Sequence, residues 1–163
     1  DMATFARLKD VIDPLDLYLH QSFMRADIPG LFGLVFNKGS WEVGHVCPSG
    51  SLDQYILVTL NKQGKAIDHQ YHDYFIDGVT FHWQTQNKVA AAGGRGQRII
   101  NHKANGSKLH LFVRKNKLEA KKAAPFYYCG PMGYASHEGE KPMSVVTELD
   151  NELPEYLKLE FMG

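Results

Sequence analysis

A short run of alternating aromatic and polar residues, Phe81–Asn87, holds the side chains best suited to recognition chemistry. On a β-strand, alternate residues share a face. One face then carries Phe81, Trp83 and Thr85, and the other carries His82, Gln84 and Gln86. Glutamine and asparagine pair with the edges of nucleobases, and aromatic rings stack on unpaired bases. The run predicts a surface that binds a nucleobase, although Trp83 suits a core position equally well.

The charge distribution predicts a polyanionic partner, although the whole chain is neutral, with 18 basic and 18 acidic residues. Residues 88–122 hold ten basic residues and one acid, a net charge of +9, whereas residues 137–163 hold seven acids and two lysines. Lysine and arginine that neutralise phosphates release counterions, so the basic segment suits a nucleic-acid contact. A solvated basic face is the alternative. The residues that we expect to hold phosphates are Arg95, Arg98, Lys103 and Lys108.

Motifs for catalysis are nearly absent from the sequence. Its eight histidines and two cysteines form no HExxH and no paired zinc spacing, and neither GxSxG nor a Walker P-loop occurs. We therefore expect no catalytic residue, no metal site and no cofactor. Glu119-Ala120-Lys121 keeps a second hypothesis open. It has the acid-x-Lys order of restriction-type nucleases, in which carboxylates hold Mg²⁺ beside the attacking water.

The elements that would position these residues predict a single α+β domain of 163 residues. We divide it into a helical preface over 1–24, a core over 25–150 and an acidic tail over 151–163. The preface includes a helix over 5–12. Periodicity predicts short strands over 54–60, 71–76, 79–85, 108–114, 126–128, 133–137 and 143–149, and a helix or turn over 97–103. Many short strands in succession indicate a strongly bent antiparallel sheet or a small barrel.

The compartment follows from cysteine usage and hydropathy. Cys47 and Cys129 lie far apart in the chain and form no CxxC pair, which is typical of a reducing cytoplasm. No apolar run approaches the ~20 residues that cross a bilayer, and no secretory signal opens the sequence. We expect a cytoplasmic protein without a membrane partner.

Several motifs in one order resemble a known family. They are Val58–Lys62, Tyr71–Tyr74, Phe81–Asn87, Gly96–Gly106, Leu111–Arg114, Pro125–Pro131 and Ser136–Met143, with Phe36-Asn37 and Ser40–His45 upstream. The chain resembles, over residues 25–150, an uncharacterised bacterial domain found at the C-terminus of helicases fused to phospholipase-D-like nucleases and beside HNH endonucleases. In modification-dependent restriction enzymes, this position belongs to readers of altered bases with SRA-like or PUA-like folds. The chain carries no HNH motif, so the resemblance implies a reader alone.

The leading hypothesis is a non-catalytic module that recognises 5-methylcytosine or 5-hydroxymethylcytosine in double-stranded DNA by base flipping. It would direct a nuclease or helicase in the natural protein. We place Trp83 and Tyr71 as pocket walls. The base edge would be read by Asp73, Gln84 and Gln86, and Trp41 and His45 would lie near the rim. The alternatives are a small Mg²⁺-dependent nuclease using Glu119 and Lys121, and a helicase-associated protein-interaction module.

Overall fold

The computed structural model describes residues 14–61 and 72–163. The strands are β1 (Ser22–Phe23), β2 (His45–Val46), β3 (Gln54–Asn61), β4 (Tyr74–Phe75), β5 (Thr80–Gln84), β6 (Leu109–Asn116), β7 (Leu118–Glu119), β8 (Lys122–Ala123), β9 (Phe126–Glu138) and β10 (Ser144–Leu149). The helices are α1 (Pro14–Tyr18), a 3-10 turn (Arg25–Asp27), α2 (Ile28–Leu31), α3 (Lys38–Trp41), α4 (Gly94–Ile100) and α5 (Glu155–Met162). The helix predicted over 5–12 lies outside the described residues.

Eight strands form one mixed sheet, which confirms the α+β class. The strand order is β2-β3-β6-β9-β10-β5-β4, and β1 pairs with β9. The prediction of an antiparallel sheet was wrong in one place, because β3 and β6 run parallel. Forty-seven intervening residues, 62–108, make this possible, since a parallel pair needs a long crossover. The other pairings in the sheet are antiparallel, and Asp77-Gly78 closes the β4–β5 hairpin as predicted.

Apolar side chains pack on both faces of the sheet because alternate strand residues point to opposite faces. One core holds Ile56, Val58, Trp83 and Val145 together with Ile99 of α4. The other core holds Tyr55, Leu57, Phe112, Phe126 and Tyr128 under the N-terminal helices. Each fully buried large apolar side chain contributes roughly 1.5–3 kcal/mol, so both cores stabilise the sheet.

The sheet curls strongly but does not close into a barrel. The rings of His45 in β2 and Trp83 in β5 lie 5.3 Å apart, although their strands stand near opposite ends of the strand order. Among the described residues, the strands on the two sides of this gap are not paired with each other. On one side, β2 pairs with β3 only at Tyr55 and Ile56. On the other side, a side-chain oxygen of Asp73 accepts the Gln84 backbone N–H at 2.8 Å, which a neighbouring strand would otherwise use.

The acidic segment at 151–163 is part of the packed domain. Leu153 and Leu157 are 2% and 0% exposed and belong to the core that contains Trp83. On the outer side, Lys158 donates to Glu152 and Glu155 at 3.0 and 3.2 Å. Within the described ranges, no helix has the length and apolar character needed to cross a bilayer.

Gly96 in α4 lies so close to neighbouring backbone atoms that any side chain there is expected to destabilise the fold. A Cβ at this position would lie 2.8 Å from the Ala91 carbonyl oxygen and closer still to that of Ala90. Because these are backbone atoms, the loop must move, and overpacking of this kind costs about 1–3 kcal/mol. We expect Gly96→Ala to lower the free energy of unfolding by that amount in urea titrations. Gly94→Ala is the matched control, since nothing lies within 4 Å of its Cβ, and an equal loss there would contradict the steric explanation.

Candidate functional site

A cleft of about 860 Å³ opens in the gap between β3 and β5. The backbone of β3 forms one wall through Leu57, Val58 and Thr59, and the end of β5 with residues 85–87 forms the other. Five of the seven residues predicted for the base pocket line this cleft: His45, Asp73, Trp83, Gln84 and Gln86. The structure thus brings together residues from three separate parts of the chain.

Two predicted pocket residues remain, Tyr71 and Trp41. Tyr71 lies outside the described residues. Trp41 is 1% exposed and packs against Tyr55, with ring centroids 5.2 Å apart, in the core under the N-terminal helices. The rim position predicted for Trp41 was therefore wrong, because its large apolar surface is buried in that core. Its carbonyl oxygen nevertheless accepts a hydrogen bond of 2.9 Å from Arg25, a cleft residue.

Trp83 closes the bottom of the cleft as a core residue. Its side chain is 3% exposed and packs in the apolar core, while its ring meets His45 edge-on, at an interplanar angle of 82°. Trp83 was predicted either as a pocket wall or as a core residue. The indole lines the cleft, but most of its surface is covered by the core. Little of the ring face is open for a base to stack on.

One imidazole nitrogen of His45 is buried without a hydrogen-bond partner among the described residues. The Gln54 side-chain NH₂ donates to the Arg98 carbonyl, so the Gln54 side-chain oxygen accepts from His45 Nε2 at 2.8 Å. The proton of the imidazole is thereby assigned to Nε2, and Nδ1 carries a lone pair. Nδ1 is buried without a partner in the part of the chain that the structure describes. Burial lowers the pKa of His45 to about 4, so the ring is neutral at pH 7.

Three polar residues from two segments complete this end of the cleft. Asp73 is 6% exposed and is oriented by the Gln84 N–H. The Gln84 side chain is half-buried, whereas Gln86 is exposed at the mouth. A carboxylate and the lone pair of His45 accept hydrogen bonds, and the glutamine amides both donate and accept. The arrangement can recognise a planar ligand with a mixed donor and acceptor edge.

The four residues predicted to contact phosphate are exposed but lie outside the cleft lining. Arg95 and Arg98 belong to α4, which packs against β2. Arg95 donates to the His45 backbone carbonyl at 2.8 Å, so its guanidinium holds the strand that carries the histidine. Lys103 and Lys108 lie further along, in the turn after α4 and just before β6.

The cations that do line the cleft were not predicted as site residues. They are Arg25, Arg114 and Lys117. Arg114 ends a strand of alternating polarity within the basic segment, and from this pattern it could have been predicted as a site residue. Arg25 gives no local signal, because it reaches the cleft from the 3-10 turn only through the packing of that turn on the sheet. Both guanidinium groups lie over the ring of Phe126.

The triplet that suggested a nuclease lies in an exposed hairpin. Glu119 pairs with Lys122 across β7 and β8, and the turn between them has positive φ at Ala120 and Lys121. Over residues 14–61 and 72–163, no three histidine, cysteine, aspartate or glutamate side chains are grouped so that they could hold a metal ion. Among the described residues, Glu119 therefore belongs to no group of three such ligands.

Comparison with known proteins gives one family. A family model described as "Domain of unknown function (DUF3427)" matches residues 17–161. Among curated proteins, no match is found. The matched range includes every described residue of the cleft, from Arg25 to Leu118.

Proposed function

The chain belongs to the DUF3427 family, and from this premise we propose that it is a non-catalytic module that recognises a modified base in double-stranded DNA. The base is 5-methylcytosine or 5-hydroxymethylcytosine, flipped out of the duplex into the cleft. The observation that carries the proposal is the convergence of His45, Asp73, Trp83, Gln84 and Gln86 on one cleft.

The size and chemistry of the cleft support a nucleobase as its ligand. Pockets for small ligands commonly have volumes of about 300–1,000 Å³, with a few polar groups on apolar walls. The Asp73 carboxylate and the side-chain oxygens of Gln84 and Gln86 suit the exocyclic amino group of a cytosine. Flipping a base costs a few kcal/mol, which hydrogen bonds and packing inside such a cleft offset.

The wider setting of the module rests on the family resemblance and is an argument by association. We propose that the curled, open sheet is a relative of SRA-like and PUA-like folds, and that the module directs an attached nuclease or helicase to modified DNA. The curled sheet and its cleft between two strand edges support this assignment.

The proposal is tested with three duplexes of one sequence that carry cytosine, 5-methylcytosine or 5-hydroxymethylcytosine at one position. In fluorescence anisotropy, we expect tighter binding of one modified duplex than of the plain one. Gln86→Ala should reduce this preference, because its exposed amide lies at the cleft mouth. Asn105→Ala is the matched control, since it removes an exposed amide outside the cleft lining and should leave the preference unchanged.

Three results would contradict the proposal, and each would favour a different function. Equal binding of all three duplexes would indicate a DNA-binding module without base recognition. No binding of any duplex would favour the protein-interaction module. Cleavage of plasmid in Mg²⁺ that disappears in Glu119→Ala would establish the nuclease.

Arg98 provides a separate prediction about the DNA backbone. Its side chain is exposed on α4, and we expect Arg98→Ala to weaken binding of modified and plain DNA by the same factor. The slope of log affinity against log salt should fall by about 1, because one phosphate contact is lost. Lys158→Ala is the control, since Lys158 is already paired with two glutamates. An unchanged salt slope in Arg98→Ala would show that Arg98 is only solvated surface.

A further inference from the structure

Two arginines in the cleft share one aromatic ring. The guanidinium carbon of Arg114 lies 4.3 Å from the centroid of Phe126, and that of Arg25 lies 5.0 Å from the same centroid. Arg114 is 8% exposed, and Arg25 is half-buried. The two positive charges are no further apart than the sum of these distances and are partly out of water, an arrangement that repulsion and desolvation both disfavour.

The described residues provide little negative charge to compensate this pair. Neither arginine has a carboxylate within salt-bridge distance over the described ranges. Glu42 acts on Arg25 only at longer range, and the carboxylate in the cleft lining, Asp73, is engaged with the end of β5. Burial and the neighbouring Arg25 lower the pKa of Arg114 to about 10, so both groups remain charged at pH 7.

The two guanidinium groups also keep unused hydrogen-bond donors. Arg114 Nε donates to the Thr59 hydroxyl at 2.8 Å, and Nη1 donates to the Ala124 carbonyl at 3.1 Å. Arg25 donates to the Trp41 carbonyl. Each guanidinium has five N–H donors in a rigid fork, so most of the ten are not used by these bonds. The bonds that are used orient the groups without neutralising them.

We propose that Arg25 and Arg114, with Lys117 at the mouth, form a binding site for a phosphate group. An anion between the two guanidinium groups would relieve their repulsion and accept charge-assisted, paired hydrogen bonds. The site lies in the same cleft as His45. His45 in β2 is opposite Ile56, and Arg114 in β6 is opposite Thr59, so the two flank β3 on opposite sides and are offset by about 10 Å along it at ~3.3 Å per residue. We assign the phosphate to a nucleotide whose base lies elsewhere in the cleft.

This proposal does not require that a modified base be recognised, so its test uses no duplex. Inorganic phosphate, deoxycytidine and deoxycytidine monophosphate are each titrated at constant ionic strength, and the melting temperature of the protein is followed. We expect inorganic phosphate to raise the melting temperature and the monophosphate to bind more tightly than phosphate or the nucleoside. Equal affinity for phosphate and monophosphate would support the site and assign its ligand as free phosphate.

The variants Arg25→Gln and Arg114→Lys test the two arginines. Arg25→Gln removes the half-buried charge, and Arg114→Lys keeps a charge while removing the planar fork in case deletion of the buried group prevents folding. Loss of hydrogen bonds to a charged group should weaken phosphate binding by a factor of roughly 10 to 100 in each. Lys38→Gln, at an exposed position outside the cleft lining, should bind phosphate as the original protein does. Absence of any phosphate effect, or an equal effect in Arg25→Gln, would overturn the proposal.

Discussion

Trp83→Ala is expected to lower the free energy of unfolding by about 3–5 kcal/mol. The indole is 3% exposed and packs in the core that also contains Ile99 and Leu157, so its removal leaves a large cavity beside His45. The surrounding strands are held by backbone hydrogen bonds and relax only in part, which is why the loss exceeds the transfer free energy of the side chain alone. Urea titration measures the loss directly.

Binding measured beside stability separates the two roles of Trp83. Trp83→Phe keeps an aromatic side chain in the core and should cost less stability than alanine. If it binds modified and plain DNA as the original protein does, the indole acts through packing. A selective loss on modified DNA at a near-normal melting temperature would assign Trp83 to the base. A loss below 1 kcal/mol in Trp83→Ala would contradict its place in the core.

The second large effect concerns pH. His45 has a pKa of about 4 in the folded protein and an ordinary value of 6.5 when unfolded, because burial disfavours its charged form. Below pH 6.5 the unfolded chain therefore binds a proton that the folded protein does not. The stability that neutral His45 provides is complete above pH 6.5 and is lost as the pH falls toward 4. The loss amounts to about 3 kcal/mol over this window.

Comparison with His45→Gln isolates this contribution. Glutamine cannot titrate, so the variant should lose about 3 kcal/mol less than the original protein between pH 6.5 and 4. Burial also lowers the pKa values of His20 and His102, and these groups contribute equally to both proteins. The lowered pKa of Asp53 acts only below about pH 4. Identical pH profiles for the two proteins would contradict the assignment.

Local patterns predicted the elements whose signals are short in range. The alternation over residues 79–85 became β5, and Asp77 accepts two backbone N–H groups in the predicted turn. The prediction of two strands over 126–128 and 133–137 was wrong, because Gly130-Pro131 resembles a break. In the structure β9 continues through both, since Gly130 adopts a φ of +91° beside a register shift in the pairing with β6.

Part of the site was predictable from the alternation of a single strand, whereas the two arginines of the cleft were missed. Trp83, Gln84 and Gln86 follow from one alternating run, and all three line the cleft. The pairing of Thr59 with Arg114 depends on the parallel contact between β3 and β6, which no local pattern encodes. Arg25 depends on how the N-terminal segment packs on Phe126. Such contacts follow from tertiary packing, so periodicity alone cannot reveal them.

We propose that the bond from Arg95 to the His45 carbonyl couples ligand binding at His45 to phosphate contacts on α4. A phosphate that captures this guanidinium competes with the strand for it, and a ligand held by His45 resists that competition. This coupling is reciprocal: if the phosphate contact at Arg95 changes the binding free energy of a ligand at His45, that ligand changes the binding free energy of the phosphate by the same amount. Substitutions at Arg95 and His45 should therefore be non-additive in their effects on DNA affinity. The Arg95 side chain would then couple a contact with the DNA backbone to a contact with the base.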